Sequence, residues 1–229
     1  MAMISPNKTI LLTGFEPYGG RRGNPAAEVA NALDRLTVGG FVVTAAILPV
    51  SHHGLLARLR ELIDGMRPSI VVSLGLAPGE KMIRLERFGL NLLDFEIADD
   101  DGACLADAPI EASGSTGVSA SLPLRAIERA LLDAGIPARL SSTAGTFLCN
   151  ATLYSLMRIL DERFPAALGG FIHLPYLPEQ VAQLLADGKH DRRLELNQRS
   201  DLASMDLATQ VRAVTIAMSE TVGAFVSRS

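Results

Sequence analysis

Two side chains in this 229-residue chain have the types and settings that nucleophilic chemistry needs. Cys149 follows Thr143-Ala-Gly-Thr146 and falls in the first turn of a helical pattern. There, free backbone N–H groups and the positive end of the helix dipole stabilise a thiolate. His173 ends the apolar run Gly170–His173 and precedes Leu174-Pro175-Tyr176. In α/β sheets, active-site groups gather at the carboxyl ends of strands, so a cysteine and a histidine at such ends suggest a thiol–imidazole pair. Glu86 offers a carboxylate that could hold the second ring nitrogen of His173. Each residue also has an ordinary explanation. A free cysteine packs as a small hydrophobe, a strand-end histidine is commonly a hydrogen-bonded packing residue, and Glu86 has Arg84 and Arg87 nearby as ion-pair partners. Spacing alone leaves these alternatives open.

Other motifs carry less. Gly75-Leu-Ala-Pro-Gly79-Glu80-Lys81 resembles a phosphate-binding loop, but the spacing is wrong and no Ser or Thr follows the lysine. Gly14-Phe-Glu-Pro-Tyr-Gly-Gly20 lacks dinucleotide-binding spacing. His52-His53 has no zinc-ligand spacing and reads as an exposed helix start. Asp99-Asp100-Asp101-Gly102 lacks the alternation of a calcium loop and reads as a solvated acidic turn. Cys104 lies in the loop beyond it, and His190 reads as a surface turn. No cofactor or metal is expected.

The elements that must position the pair are strands alternating with helices, which points to an α/β fold. Apolar runs at Thr9–Thr13, Phe41–Leu48, Ser69–Leu76, Ala138–Ser142 and Gly170–His173 read as strands. Asn24-Pro25 places an N-cap before a first-turn proline and opens a helix to about Leu36. Ser51 caps a helix with Leu55, Leu56, Leu59, Leu62 and Ile63 on one face. Further helices are expected from Pro123 to about Ala134, Thr146 to Arg163, Gln180 to Leu185 and Leu207 to Phe225. Apolar residues from Ile83 to Leu92 alternate, with a three-residue step at Glu86-Arg87 that suggests a bulge or bend. Residues 112–121 read as a mobile loop. The expected whole is one domain, residues 1–229, with a twisted, mostly parallel central sheet and helices on both faces.

Composition agrees. Hydrophobic residues make up 48% and charged residues 20%, as in a globular chain. A net charge of −4 argues against binding nucleic acid by phosphate neutralisation. The strongest apolar run, Phe41–Val50, is too short to span a bilayer and contains Thr44 and Pro49. No membrane association is expected. Two cysteines and no export signal point to free thiols in the cytoplasm.

Three segments in order, Gly14-Phe-Glu-Pro-Tyr-Gly-Gly20 with Asn24-Pro25, Thr143-Ala-Gly-Thr-Phe-Leu-Cys149-Asn150, and Gly170-Phe-Ile-His173-Leu-Pro-Tyr-Leu-Pro-Glu-Gln180, closely resemble the pyroglutamyl peptidase I family. The resemblance implies a cysteine peptidase that removes N-terminal pyroglutamate, with Cys149 as nucleophile, His173 as general base and Glu86 holding the imidazole. It also implies a homo-oligomer, commonly a tetramer in bacteria. Phe15 and Tyr18 match family positions that hold the lactam ring, although Phe15 could instead cap the core. Tyr18 stands where family members usually have Phe. A second departure is Glu96, where many members carry an arginine thought to support the oxyanion site. Glu96 would repel a developing oxyanion unless it pairs with a cation or faces solvent on a shifted loop. Leu76 and Pro78 replace the family's common Gln and Gly. Two other classes remain open: a relative turned binding protein, and a thiol hydrolase of another small amide or ester.

Overall fold

A computed structural model describes residues 7–19, 21–191 and 202–228. Its elements run β1 (Thr9–Phe15), α1 (Pro25–Leu33), β2 (Thr37–Val38), β3 (Phe41–Leu48), α2 (His52–Met66), β4 (Ile70–Leu76), β5 (Ile83–Glu86), β6 (Phe88–Leu90), β7 (Leu93–Phe95), β8 (Leu105–Ala108), β9 (Gly117–Ser119), α3 (Leu124–Asp133), β10 (Ala138–Ser141), α4 (Leu148–Arg163), β11 (Leu168–Leu174), α5 (Pro178–Asp191) and α6 (Leu207–Val226). Seven strands form one sheet in the order β10-β5-β11-β4-β1-β3-β2.

The strands that are apolar at nearly every position take the centre. All seven residues of β4 and of β11 are buried, as are six of seven in β1. A strand covered on both faces needs such a run, because neither side meets water. β1 pairs in parallel with β3 and β4, and β11 in parallel with β4. β5 runs antiparallel to β11 while β10 runs parallel to β5, so this end of the sheet is reversed. The short β2 closes the other edge antiparallel to β3. The sheet is therefore mostly parallel, as expected.

Helices cover both faces. One apolar cluster joins Ile10, Leu12, Val72, Leu74, Leu85 and Ile172 to residues of α1, α3 and α6. The other joins Leu11, Val71 and Phe171 to residues of α2 and α4. Local signals set two helix starts. Asn24 accepts from the Ala26 N–H at 3.0 Å, with Pro25 at the first helical position, and Ser51 accepts from the Gly54 N–H at 3.1 Å. Each bond satisfies an N–H group that the helix itself leaves unpaired.

Several expectations need correcting. The step at Glu86-Arg87 is not a bulge within one strand. The chain leaves the main sheet after Glu86, the Arg87 N–H bonds the Ser141 carbonyl at 2.9 Å, and β6 pairs with β9 in a separate ribbon. Residues 112–121 are consequently not all loop, since β9 lies within them. The acidic turn is not wholly solvated. Asp99 is buried, its carboxylate accepting from the N–H groups of His52, Asp101 and Ala103. These bonds, more than the opposing desolvation, hold its carboxyl below the usual range. The helix expected to end near Leu36 stops at Leu33, and α5 extends to Asp191. His190 thus lies on helical backbone rather than in a turn, and its surface exposure falls outside the described side chains.

Candidate active site

Three strands and one helix meet on the face of the sheet that carries α4. On the antiparallel pair β5–β11, His173 stands directly opposite Arg84 and Phe171 opposite Glu86. Side chains two apart on a strand share a face, so Glu86 and His173 are diagonal neighbours within reach of each other. His173 Nδ1 and Glu86 Oε1 are 2.7 Å apart. An ionised carboxylate only accepts, so the Nδ1 proton belongs to the imidazole. Glu86 is 0% exposed and His173 4%. A buried carboxylate without partners would be very costly, so pairing is what permits it here.

Cys149 is the second residue of α4 and half-buried. The residue before the helix, Phe147, provides no side-chain acceptor. The N–H groups of the first turn therefore have no intrahelical partner and no cap. Burial by itself would push the His173 imidazole down. The charge and hydrogen bond of Cys149, then the bond and charge of Glu86, outweigh it and raise the pKa to about 9. Cys149, His173 and Glu86 are thus in one interacting group, and Glu86 also has the ion pair with Arg84 that the sequence offered as an alternative (3.1 Å). Arg87 instead lies over the Phe88 ring, at 5.5 Å.

Three residues given no role from the sequence help to build the site. Gly75 on β4 is the register partner of His173. A Cβ built there would lie 2.8 Å from Cys149 Sγ and 2.7 Å from the Phe171 ring. The missing side chain is the space into which the thiol fits. A glycine inside a mostly apolar strand of the buried kind was the available signal, since it marks close approach of another group. Asn150, 0% exposed, accepts from the Leu90 N–H (2.8 Å) and donates to the Leu90 and Leu92 carbonyls (2.9 Å each). It pins the start of α4 to the segment between β6 and β7. Thr146 adds to this, donating through Oγ1 to the Asp94 carbonyl at 2.6 Å while its own carbonyl accepts from the Asp94 N–H at 3.1 Å.

The first βα segment supplies the remaining candidates. Phe15 is buried in the apolar cluster that includes Leu148 and Phe171, and Tyr18 and Cys149 pack against that cluster. Burial pushes the Tyr18 hydroxyl up to about 12, against the opposing pull of Arg21; Cys149 also adds to the rise. Arg21 stacks on Tyr18 at 4.7 Å and bonds the Tyr176 hydroxyl at 3.3 Å, joining this segment to the one after β11. Gln180 reinforces that junction by donating to the Gly23 carbonyl at 3.0 Å.

Glu96 is exposed at the bend after β7 and makes no ion pair among the described residues. The solvent-facing alternative for this residue matches its placement. Cys104 is exposed too, with its thiol 3.6 Å from the Glu96 carbonyl. Among the described residues, no group of three or more His, Cys, Asp or Glu could hold a metal ion, and no helix is long and apolar enough to cross a membrane.

Comparison with known proteins gives one answer from three directions. Residues 8–223 match the profile of the family described as pyroglutamyl peptidase. A pyrrolidone-carboxylate peptidase of Bacillus cereus is 41% identical over 176 residues, covering 77% of this chain and 82% of the relative. The solved pyrrolidone carboxyl peptidase of Thermococcus litoralis is 33% identical, with a TM-score of 0.88 over 96% of both chains. That of Pyrococcus furiosus is 31% identical, with a TM-score of 0.86 over 95% of this chain and 99% of the other. The chain therefore belongs to the pyroglutamyl peptidase family.

Proposed function

We propose that this protein is a cysteine peptidase that hydrolyses the amide bond after an N-terminal pyroglutamyl residue, with Cys149, His173 and Glu86 as its working groups. The observation that carries this reading is the buried 2.7 Å bond between His173 and Glu86, set beside a thiol at an uncapped helix N-terminus. His173 accepts the Cys149 proton at the ring nitrogen not bonded to Glu86, and Glu86 keeps the resulting imidazolium oriented and stabilised. The thiolate attacks the pyroglutamyl carbonyl carbon. Its developing oxyanion is stabilised by first-turn N–H groups of α4. The imidazolium then gives its proton to the leaving amine as the C–N bond breaks, leaving a thioester on Cys149. Water, deprotonated by His173, attacks the thioester and releases free pyroglutamate and the thiol.

The proposed substrate fits the surroundings. A pyroglutamyl group has no charged amine, and the segment facing Cys149 brings an aromatic ring with a neutral phenol at Tyr18, backed by Phe15. An apolar pocket with few polar groups is what a small neutral lactam requires. Cytoplasmic residence and assembly into a homo-oligomer belong to the same proposal, and light scattering tests the second.

The test is hydrolysis of a fluorogenic pyroglutamyl amide beside the matching prolyl amide. Wild type should cleave only the pyroglutamyl compound. Cys149→Ala should lose at least about a thousandfold in kcat, and Cys104→Ser should retain activity. Turnover by Cys149→Ala would refute the assignment.

A further inference from the structure

We propose that Arg84 is a positioning residue of the active site, whose single guanidinium holds the Glu86 carboxylate and ties it to the loop leading into Cys149. Arg84 Nε stands 3.1 Å from Glu86 Oε1, the same oxygen that binds His173, while Glu86 Oε2 is buried with no partner among the described residues. The other end of the guanidinium donates to Ser141 Oγ at 2.9 Å and to the Thr143 carbonyl at 2.7 Å. Ser141 Oγ also donates to the Thr143 carbonyl, at 3.0 Å. Thr143 begins the short loop that ends at Phe147, the cap of α4, and Cys149 follows two residues later. One side chain thus spans from the carboxylate behind the imidazole to the backbone in front of the thiol.

The arrangement is held from outside as well. Glu80 lies 3.6 Å from Arg84 Nε and accepts from Arg139 at 2.6 Å. The Arg84 side chain is only 20% exposed. A planar fork with several donors suits this bridging, which a lysine point charge would not reproduce.

Two consequences follow from geometry. The cation stands as an ion pair 3.1 Å from the oxygen that stabilises the His173 imidazolium, on the residue directly opposite His173. It therefore restrains the proton affinity that Glu86 confers on His173. Separately, its bonds to Ser141 and Thr143 fix the approach to Cys149. Among the described residues, the charged and titratable groups acting on His173 are Cys149 from α4 and Glu86 from β5, and Arg84 of β5 stands opposite it and against Glu86. Tyr18 acts on Cys149 from the first βα segment, Glu80 and Arg139 stand behind Arg84, and β4 presents the non-titrating Gly75.

The inference deepens the cysteine-peptidase reading, and its test also has a readout that needs no turnover. His173 in the full-length protein is followed by NMR titration of the ring, assigned by comparison with His173→Gln. Arg84→Met should raise its midpoint by about half a unit to one unit, and kcat/KM on a pyroglutamyl amide should fall about tenfold or more. Arg84→Lys should restore the midpoint to near the wild-type value but leave kcat/KM reduced, since the charge returns without the fork. If Arg84→Met does not fold, Arg84→Gln is read by the same titration with the same expectation. An unchanged or lowered midpoint in the charge-removing variant would overturn the proposal. Failure of wild type to cleave the amide would instead remove the peptidase reading, and the titration would still decide the role of Arg84.

Discussion

Replacing Gly75 by alanine should disable the site while leaving the fold in place. The added Cβ would stand 2.8 Å from Cys149 Sγ and within 2.7 and 2.9 Å of two Phe171 ring atoms. Non-bonded heavy atoms settle at roughly 3.5–4.0 Å, so the thiol would have to retreat by about 0.7–1.2 Å. Phe171 is 0% exposed and packed in the core, so it has little room to take up the strain. Rotation of the cysteine side chain is the easier response, and it carries the sulfur off its line to His173. Misplacement by about 1 Å can cost a hundredfold in rate, equivalent to roughly 2.7 kcal/mol of activation free energy. Overpacking should cost about 1–3 kcal/mol of stability, partly offset by about 0.4–1 kcal/mol from stiffening the unfolded chain. Melting should therefore fall by only a few degrees. The assay is kcat/KM on a pyroglutamyl amide, with calorimetry on the same preparations. Gly65→Ala serves as the control: this helical glycine has open space around it, and alanine there should stabilise slightly without touching turnover. Wild-type kcat/KM in Gly75→Ala would refute the idea that β4 sets the position of the thiol.

Asn150→Ala should lower stability by about 3 kcal/mol, because three buried hydrogen bonds worth about 1 kcal/mol each are lost; chemical denaturation measures it. The pKa of His173, raised in the folded state to about 9 from an ordinary 6.5, makes a stabilising contribution that is fully present below about pH 6.5 and lost as pH rises through about 9. Wild type should therefore lose stability across that window more steeply than His173→Gln, as read from unfolding midpoints at several pH values; parallel curves would contradict the assigned proton. Since Glu96 is exposed and without an ion pair among the described residues, Glu96→Gln and Glu96→Arg should both keep kcat/KM within about twofold of wild type. A large gain in Glu96→Arg would put residue 96 within the field of the reacting carbonyl.

Elements whose causes are local were legible in the amino-acid sequence. Predominantly apolar runs marked β1, β4 and β11 as buried strands, and the Asn24-Pro25 and Ser51 caps set the starts of α1 and α2 to the residue. Cys149 at a helix start was legible for the same reason, since the helical pattern begins a few residues before it. The short pieces β2 and β9 were not legible. Two or three residues carry no period, and such strands exist only because a partner strand pairs with them.

How the site closes depends on pairing between strands far apart in the chain. Glu86 and His173 are 87 residues apart in sequence, and their bond depends on β5 running antiparallel to β11 in one register. A slip of one residue would turn Glu86 to the opposite face of the sheet. The step at Glu86-Arg87 read as a bulge or bend because periodicity records a phase change without saying which sheet the chain enters next. Whether Glu86 serves His173 or an arginine was undecidable from spacing, and the structure places both His173 and Arg84 on one carboxylate oxygen. The role of Gly75 was hidden because an absent side chain gains meaning only from what fills its place. Here that is the sulfur of Cys149, delivered by a helix that begins more than seventy residues later in the chain.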